Sequence, residues 1–150
     1  RQGGEVMHRV LTTAIIAALL AGCSTTAPAP ARGERLPLWF DCLRERGEAV
    51  IGAHRAGPAP GLPENALTTM AATLARNHNA LLEIDVQASA DGVLFLLHDD
   101  RLDRTTEASG PAAARTWAEL RQLRLRDNGG ALTEAYIPSL ADALALAMSQ

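Results

Sequence analysis

Lysine is absent from this sequence of 150 residues, and all fourteen basic residues are arginine. A P-loop lysine, a Schiff-base lysine and a Ser-Lys dyad are therefore excluded within these residues. Aromatic residues make up only 3% of the chain, and the net charge is −3. Nucleic-acid binding relies on aromatic stacking and basic patches, so no nucleic-acid partner is expected. Hydrophobic residues at 47% and charged residues at 21% are typical of a globular domain and exclude a disordered or collagen-like chain.

Long hydrophobic runs are also scarce, and the main apolar run, Val10 to Ala21, has twelve residues. A membrane-spanning helix needs roughly 20 apolar residues, whereas the apolar region of an export signal needs roughly 7–15. The run ends in Leu20-Ala21-Gly22-Cys23, which resembles the lipobox of bacterial lipoproteins. That resemblance implies that Cys23 is acylated and becomes the first residue of the mature protein. The alternative is an ordinary signal peptide followed by a chance cysteine.

This interpretation divides the chain into three parts. Residues 1–22 are predicted to be a lipoprotein signal peptide, 23–37 a flexible tether, and 38–150 the folded domain. We expect export to the periplasm and a lipid anchor in a membrane. Serine rather than aspartate follows Cys23, which in the lipoprotein pattern indicates the outer membrane. Cys42 is then the only other cysteine, so no internal disulfide is expected, and we expect Cys42 to be a packed or unused thiol rather than a nucleophile.

Apolar and capping patterns predict alternating strands and helices, and hence an α/β domain. Short strands are predicted over 49–53, 81–87 and 93–97, the last two joined by a hairpin turn at Asp91-Gly92. Helices are predicted over 38–46, from an Asn65 cap to 76, after a capping box at Thr116, and after Ser139.

Ionisable side chains lie at the ends of the first and third predicted strands and within the second. His54 and Arg55 follow the first strand, and His98 follows the third. Glu83 and Asp85 are two apart in the second strand, so their carboxylates share a face. Two carboxylates on an otherwise apolar strand favour a hard divalent cation between them. The alternative is that both face water on an edge strand.

A phosphodiester-cleaving site would use this set of residues. A two-residue turn at Asp91-Gly92 would place Asp85 opposite His98. The metal and Arg55 would neutralise a phosphate. One histidine would take a proton from the nucleophile, and the other would give one to the leaving oxygen. Each histidine could instead be a hydrogen-bonded structural residue.

An ordered series of short motifs resembles the glycerophosphodiester phosphodiesterases. The motifs are Ala53-His54-Arg55, Pro63-Glu64-Asn65, Glu83-Ile84-Asp85-Val86, Asp91-Gly92-Val93, His98-Asp99, Leu102-Asp103-Arg104-Thr105-Thr106 and Ile137-Pro138-Ser139-Leu140. Each motif alone is weak, but the ordered series is specific.

The resemblance implies an α/β fold that is the N-terminal portion of a TIM (β/α)8 barrel of the phospholipase-C-like phosphodiesterase type. It implies hydrolysis of glycerophosphodiesters to glycerol 3-phosphate and an alcohol. His54 and His98 would be the acid–base pair, and Arg55 would bind the phosphate. Glu83 and Asp85 would bind Ca²⁺ or Mg²⁺. Glu64 would contact the residues that bind metal or substrate rather than bind either itself.

Two departures from the family pattern bear on these expectations. Ala56 replaces the usual glycine after His-Arg, with Gly57 one place later, so the loop 57–62 is expected to be remodelled. A TIM barrel needs roughly 250 residues, whereas residues 23–150 number only 128. We therefore expect a piece of a longer enzyme, with the third metal ligand beyond residue 150. Expressed alone, these residues are expected to be aggregation-prone and inactive.

Two other functions fit the same residues. One is a different phospholipase-C-like phosphodiesterase, of the phospholipase or sphingomyelinase-D-like type. The other is a non-catalytic lipoprotein that binds phosphorylated ligands at a decayed site.

Overall fold

The computed structural model describes residues 36–149, which fall into two units divided between Glu48 and Ala49. The described part of the first unit contains helix α1 (Leu36–Glu45), close to the predicted helix over 38–46. Cys42 in this helix is disulfide-bonded, so the expectation of an unused thiol is wrong. The predicted signal peptide and all but the last two residues of the predicted tether lie outside the described residues. No helix within 36–149 is long and apolar enough to cross a membrane.

The second unit has the alternating strands and helices that the sequence predicts. Its elements are β1 (Gly52–Ala53), a 3-10 turn (His54–Ala56), α2 (Leu67–Arg76), β2 (Leu81–Leu82), β3 (Val86–Ala88), β4 (Leu94–Leu96), a 3-10 turn (Ala112–Ala114), α3 (Trp117–Leu120), β5 (Arg124–Arg126), β6 (Leu132–Tyr136) and α4 (Leu140–Met148).

The strands form one parallel and two antiparallel pairs. β1 pairs in parallel with β2, and α2 supplies the connection that a parallel pair requires. β3 pairs with β4, and β5 pairs with β6, both as antiparallel hairpins. A parallel strand–helix–strand unit is therefore followed directly by a hairpin, and the predicted hairpin and the predicted α/β class are both present.

The strand predicted over 81–87 is broken in the middle. β2 ends at Leu82 and β3 begins at Val86, and residues 83–85 change partner between them. The Glu83 N–H donates to the Ala53 carbonyl on the parallel side, whereas the Leu97 N–H donates to the Asp85 carbonyl on the antiparallel side. Glu83 is exposed, so the expectation of a buried strand is wrong at this point.

The hairpin between β3 and β4 has a longer turn than predicted. Residues 89–93 form the loop, closed by a hydrogen bond from the Ser89 N–H to the Val93 carbonyl. Val86 pairs with Leu96, so the register places Asp85 opposite Leu97 rather than opposite His98. The expected cross-strand pair of Asp85 and His98 is therefore wrong by one residue.

Two of the three predicted helix caps are present. Thr116 and Glu119 form the capping box of α3, and the Ser139 side chain accepts from the Asp142 N–H at the start of α4. Asn65 does not cap α2, whose N-cap is Ala66 without a side-chain hydrogen bond.

Two apolar clusters form the core. The smaller cluster packs α2 and α4 against β4 and the 3-10 turn after β1, through Ala56, Met70, Leu96 and Ala143. The larger one consists of Ala66, Phe95, Leu97, Leu102, Ala112, Leu120, Leu125, Ala135 and Ile137. The predicted Ile137-Pro138-Ser139-Leu140 motif lies beside β4, where the Leu96 N–H donates to the Pro138 carbonyl.

Gly57 gives a direct test of how tightly the turn after β1 is packed. Its φ is +85°, and an added Cβ would lie 2.8 Å from Oγ1 of Thr73, which itself donates to the Ala56 carbonyl at 2.6 Å. We expect Gly57→Ala to lower the free energy of unfolding by about 1–3 kcal/mol, because it adds a steric clash to the cost of a left-handed backbone. Urea denaturation measures this.

Gly130→Ala is the matched control. Gly130 has a φ of +84°, but an added Cβ would meet nothing within 4 Å. The control therefore carries only the backbone cost. Equal losses of stability in the two variants would contradict the close packing of Gly57 on Thr73.

Candidate active site

Arg55 lies in a sharp turn immediately after β1. Its φ is 49° and that of the next residue, Ala56, is 68°, both in the left-handed region. Glu83 holds this turn twice, because its Oε2 accepts from the Arg55 N–H at 2.7 Å and its carbonyl accepts from the Ala56 N–H at 2.8 Å. The end of β1 and the first predicted metal carboxylate are therefore fixed to each other.

Asp85 is held by Asn65. The Asn65 Nδ2 donates to Oδ2 of Asp85 at 2.8 Å, and the Asp85 N–H donates to Oδ1 of Asn65 at 3.1 Å. The Arg55 carbonyl accepts from the Asn65 N–H at 2.9 Å. Nε of Arg55 lies 3.9 Å from Oδ2 of Asp85. Asn65 thus joins the turn after β1 to the second predicted metal carboxylate.

Glu64 is a buried carboxylate between two arginines. Nη1 of Arg55 donates to Oε1 and Oε2 of Glu64 at 3.2 and 3.1 Å. Nη1 and Nη2 of Arg104 donate to the same two oxygens at 3.0 and 2.8 Å. Burial raises the pKa of Glu64, but the hydrogen bonds and charges of Arg104 and Arg55 outweigh burial, and the pKa lies below its ordinary value.

Arg104 also reaches the loop after β4. Its Nε and Nη2 donate to Oδ2 and Oδ1 of Asp99 at 2.7 and 2.8 Å. Nδ1 of His98 lies 2.7 Å from Oδ1 of Asp99. The hydrogen bonds from Arg104 hold the pKa of Asp99 far below its ordinary value. A continuous chain of hydrogen bonds therefore runs from His98 to Glu64.

The structure brings most of the predicted site residues into one network. Arg55 contacts Glu64, Glu83 and Asp85 directly, and His98 joins them through Asp99 and Arg104. His54 precedes Arg55 in the turn after β1 and is exposed. Within the described residues its side chain forms no hydrogen bond, so it faces solvent beside the network.

Three residues of this network were not predicted as site residues. Asn65 was expected to cap a helix, and Asp99 and Arg104 were only parts of motifs. The available signal was the spacing of His98-Asp99 and Arg104, which puts an anion next to a histidine and a guanidinium five residues later. Local sequence does not show that Arg104 turns back toward Glu64, forty residues earlier.

The carboxylates of Glu83 and Asp85 fit part of a site for a hard divalent cation. One oxygen of each, Oε2 and Oδ2, is engaged by the hydrogen bonds above, and among residues 36–149 the other oxygens accept none. Glu83 is exposed and the Asp85 side chain is one quarter exposed, so an ion can reach them. Oxygen ligands are those that Ca²⁺ and Mg²⁺ prefer. No cluster of three potential ligand side chains occurs within the described range.

A cleft of about 640 Å³ lies elsewhere in the described residues. It is lined at one end of α2 and α3 by Leu67, Thr68, Trp117, Arg121 and Tyr136, among others. None of the residues of the hydrogen-bonded network lines it, so the cleft is separate from the candidate site.

Comparison with known proteins identifies the family. A model of the glycerophosphoryl diester phosphodiesterase family matches residues 54–149. The chain belongs to this family. The resemblance drawn from the motifs is therefore confirmed, and the match includes every residue of the network.

Named relatives and solved structures agree with this assignment. Glycerophosphodiester phosphodiesterase 1 of Bos taurus is 35% identical over 109 residues, which cover 69% of this chain and 31% of the relative. A glycerophosphoryl diester phosphodiesterase of Parabacteroides distasonis superposes with a TM-score of 0.65 at 39% identity, covering 67% of this chain and 35% of that one.

A phosphodiesterase of Oleispira antarctica in complex with the product sn-glycerol-3-phosphate superposes with a TM-score of 0.58 at 30% identity, over 67% of this chain and 40% of that one. The chain thus spans about a third of the length of the relatives it matches. Its fold is the corresponding portion of these TIM-barrel phosphodiesterases, as predicted.

Glu64→Gln tests whether the buried carboxylate stabilises this glycerophosphodiester phosphodiesterase domain. The change leaves Arg55 and Arg104 without their shared anion, and we expect the free energy of unfolding to fall by about 3 kcal/mol, the lower end for a broken buried ion pair. Glu134→Gln, at a side chain that is 89% exposed, is the control and should change it by less than about 0.5 kcal/mol.

The pH dependence of the difference in unfolding free energy between wild type and Glu64→Gln is a second test. The folded pKa of Glu64 lies below its ordinary value of 4.5, so its stabilisation is fully present above pH 4.5 and is lost as the pH falls through the folded pKa. Urea denaturation of wild type and Glu64→Gln should therefore differ most above pH 4.5 and converge in acid. A difference that does not shrink in acid would contradict the ionised Glu64 bridge.

Proposed function

We propose that the protein containing this chain hydrolyses glycerophosphodiesters to glycerol 3-phosphate and an alcohol in a metal-dependent reaction with histidine acid–base catalysis. The observation that carries the proposal is the network itself, in which the phosphate-binding arginine, the two carboxylates and one histidine are joined by hydrogen bonds. The family assignment and the relatives' names support the same reaction.

Arg55 would bind the phosphate. Glu64 fixes Nη1, and within the described residues Nη2 forms no hydrogen bond, so Nη2 can donate to a phosphate oxygen. A divalent cation held by Glu83 and Asp85 would, when bound, supply further positive charge to the same phosphate. At this left-handed turn, Nε of Arg55 lies 3.9 Å from Oδ2 of Asp85, and the backbone N–H of Arg55 donates to Oε2 of Glu83.

The two histidines would move protons at the reacting oxygens. His98 keeps Nδ1 against Asp99, so its Nε2 is the atom that exchanges a proton with substrate. His54 immediately precedes Arg55 in the chain, and its side chain is exposed. Hydrolysis transfers the hydroxyl of water to phosphorus, and the proton balance closes when the second histidine protonates the leaving alcohol.

The product complex of the Oleispira antarctica phosphodiesterase supports a glycerophosphodiester substrate over the rival substrates. A substrate panel tests this. With Ca²⁺ or Mg²⁺ present, we expect glycerophosphocholine to yield glycerol 3-phosphate and choline by mass spectrometry. Turnover of lysophosphatidylcholine or sphingomyelin but not of glycerophosphocholine would favour the other phosphodiesterase type. Binding of glycerol 3-phosphate without turnover of any of the three would favour the non-catalytic alternative.

We also propose that Cys23 is acylated and anchors the protein in a membrane facing the periplasm. The proposal rests on the lipobox sequence, since Cys23 lies outside the described residues. Cys23 is the only other cysteine in the sequence, so its acylation requires that the mature protein lacks the disulfide of Cys42. Mass spectrometry of the mature N-terminal peptide should show a diacylglycerol-modified Cys23, and an unmodified or disulfide-linked Cys23 would refute the anchor.

A further inference from the structure

We propose that Asp99 and Arg104 are positioning residues that hold His98 in one tautomer and orientation, with Arg104 joining this histidine to the phosphate-binding side of the site through Glu64. The effect of these two residues on catalysis rests on the proposed function. The structural claim, that Nδ1 of His98 carries the proton and Nε2 is bare, can be measured independently of activity.

Two hydrogen bonds from Arg104 hold the Asp99 carboxylate against His98. Its Oδ1 is shared by Nδ1 of His98 at 2.7 Å and Nη2 of Arg104 at 2.8 Å, and its Oδ2 accepts from Nε of Arg104 at 2.7 Å. The planar fork of a guanidinium fixes a carboxylate in both position and tilt. An ionised carboxylate only accepts, so Nδ1 must be the donor and Nε2 is left to exchange protons.

Arg104 is fixed from its other side by Glu64. The two bonds at 2.8 and 3.0 Å use the same carboxylate that holds Nη1 of Arg55. The Arg104 side chain is half exposed, whereas that of Glu64 is 5% exposed. The series of hydrogen bonds from His98 to Glu64 is therefore anchored at its buried end, Glu64. One buried carboxylate therefore aligns both the phosphate-binding arginine and the support of the histidine.

The backbone of the loop does not need Asp99 or Arg104 to keep its place. Nε2 of Gln87 lies 3.0, 3.3 and 2.7 Å from the carbonyl oxygens of Leu97, His98 and Asp99. Gln87 thus holds the backbone of the loop independently of the Asp99 side chain. Removing that side chain should free the imidazole ring while leaving the loop in position.

Nitrogen NMR of the complete protein that contains this chain, labelled with ¹⁵N at histidine, tests the tautomer. At pH 9, well above the ordinary imidazole pKa of about 6.5, neutral His98 should carry its proton on Nδ1. Loss of the signal in His98→Gln assigns it. Asp99→Ala and Arg104→Gln should both convert this signal to a mixture of tautomers, and Asp100→Ala and Arg101→Gln, which change exposed neighbours, should not.

Kinetics of the same variants on glycerophosphocholine provide the second readout. We expect kcat to fall about 10- to 100-fold in Asp99→Ala, with KM within about twofold, because an orienting partner is lost and the substrate contacts remain. Asp99→Asn, which keeps an acceptor oxygen for Nδ1, should recover part of the loss. Circular dichroism and urea denaturation show whether each variant is folded.

The outcomes separate this inference from the proposed function. If wild type shows the Nδ1 proton and the variants lose it, but no glycerophosphodiester is cleaved, the positioning holds and the proposed function fails. If wild type is active while His98 carries its proton on Nε2, or keeps its wild-type signal in Asp99→Ala, the positioning role is overturned and the proposed function stands.

Discussion

Replacing either His54 or His98 by alanine is expected to lower turnover of glycerophosphocholine by about 10²–10⁴-fold, the usual contribution of a general acid or base. Both side chains are exposed, and the ring of His98 is oriented by Asp99 rather than packed in the core. Neither ring contributes much buried area, so the free energy of unfolding should change by less than about 0.5 kcal/mol in each variant.

His78→Ala is the matched control for both histidines. His78 is exposed in the loop after α2, and this variant should keep wild-type turnover. Steady-state kinetics with urea denaturation of all three variants gives the comparison. Near-normal turnover in His54→Ala or His98→Ala would show that the histidine concerned is not an acid or base in the reaction.

Asp85→Asn is expected to weaken divalent-metal binding by at least about tenfold, because it replaces one of the two proposed carboxylate ligands with a neutral amide. The Asn65 hydrogen bond can persist on the new amide oxygen, so the fold should remain intact. A chelator should abolish turnover of the wild type, and added Ca²⁺ or Mg²⁺ should restore it. The variant should need a higher metal concentration for the same activity.

Calorimetric titration with Ca²⁺ measures the affinity directly, and Asp100→Asn, at an exposed neighbour of the network, is the control that should bind as wild type does. Turnover that resists the chelator, or an Asp85→Asn variant with wild-type metal affinity, would remove Glu83 and Asp85 from the proposed role. The first result would also end the metal-dependent part of the proposed function.

The sequence predicted the parts of the fold that local signals determine. The capping box at Thr116, the Ser139 cap and the hairpin around Asp91-Gly92 are present because short-range hydrogen bonds and turn geometry fix them. The break between β2 and β3 was missed, because an apolar run with two carboxylates does not show that its backbone changes partner at Glu83.

The hairpin of β5 and β6 was missed for a related reason. Arg124-Leu125-Arg126 offers one buried side chain, Leu125, between two arginines, and so short a pattern carries no clear period. In the structure, Arg124 is paired with Glu107 and Arg126 donates to the Thr106 carbonyl. These contacts join residues far apart in the chain, which local propensity does not report.

Several residues of the candidate site could be predicted from the sequence, but the contacts between them could not. The types and order of His54, Arg55, Glu83, Asp85 and His98 carry the chemistry and the family resemblance. The contacts of Arg104 with Glu64 and Asp99 depend on tertiary structure, because they bring together residues 64, 99 and 104. The expectation that Asp85 faces His98 was wrong, because Asp85 lies opposite Leu97 and the carboxylate that contacts His98 is that of Asp99.

Phosphorus NMR of glycerophosphocholine incubated with Ca²⁺ and the complete protein that contains this chain tests the central claim most directly. The proposal predicts that the phosphodiester resonance is replaced by the phosphomonoester resonance of glycerol 3-phosphate, and that this conversion is lost in a His54→Ala, His98→Ala double variant that remains folded. A phosphodiester resonance that persists with the wild type, or a conversion that the double variant retains, would contradict it.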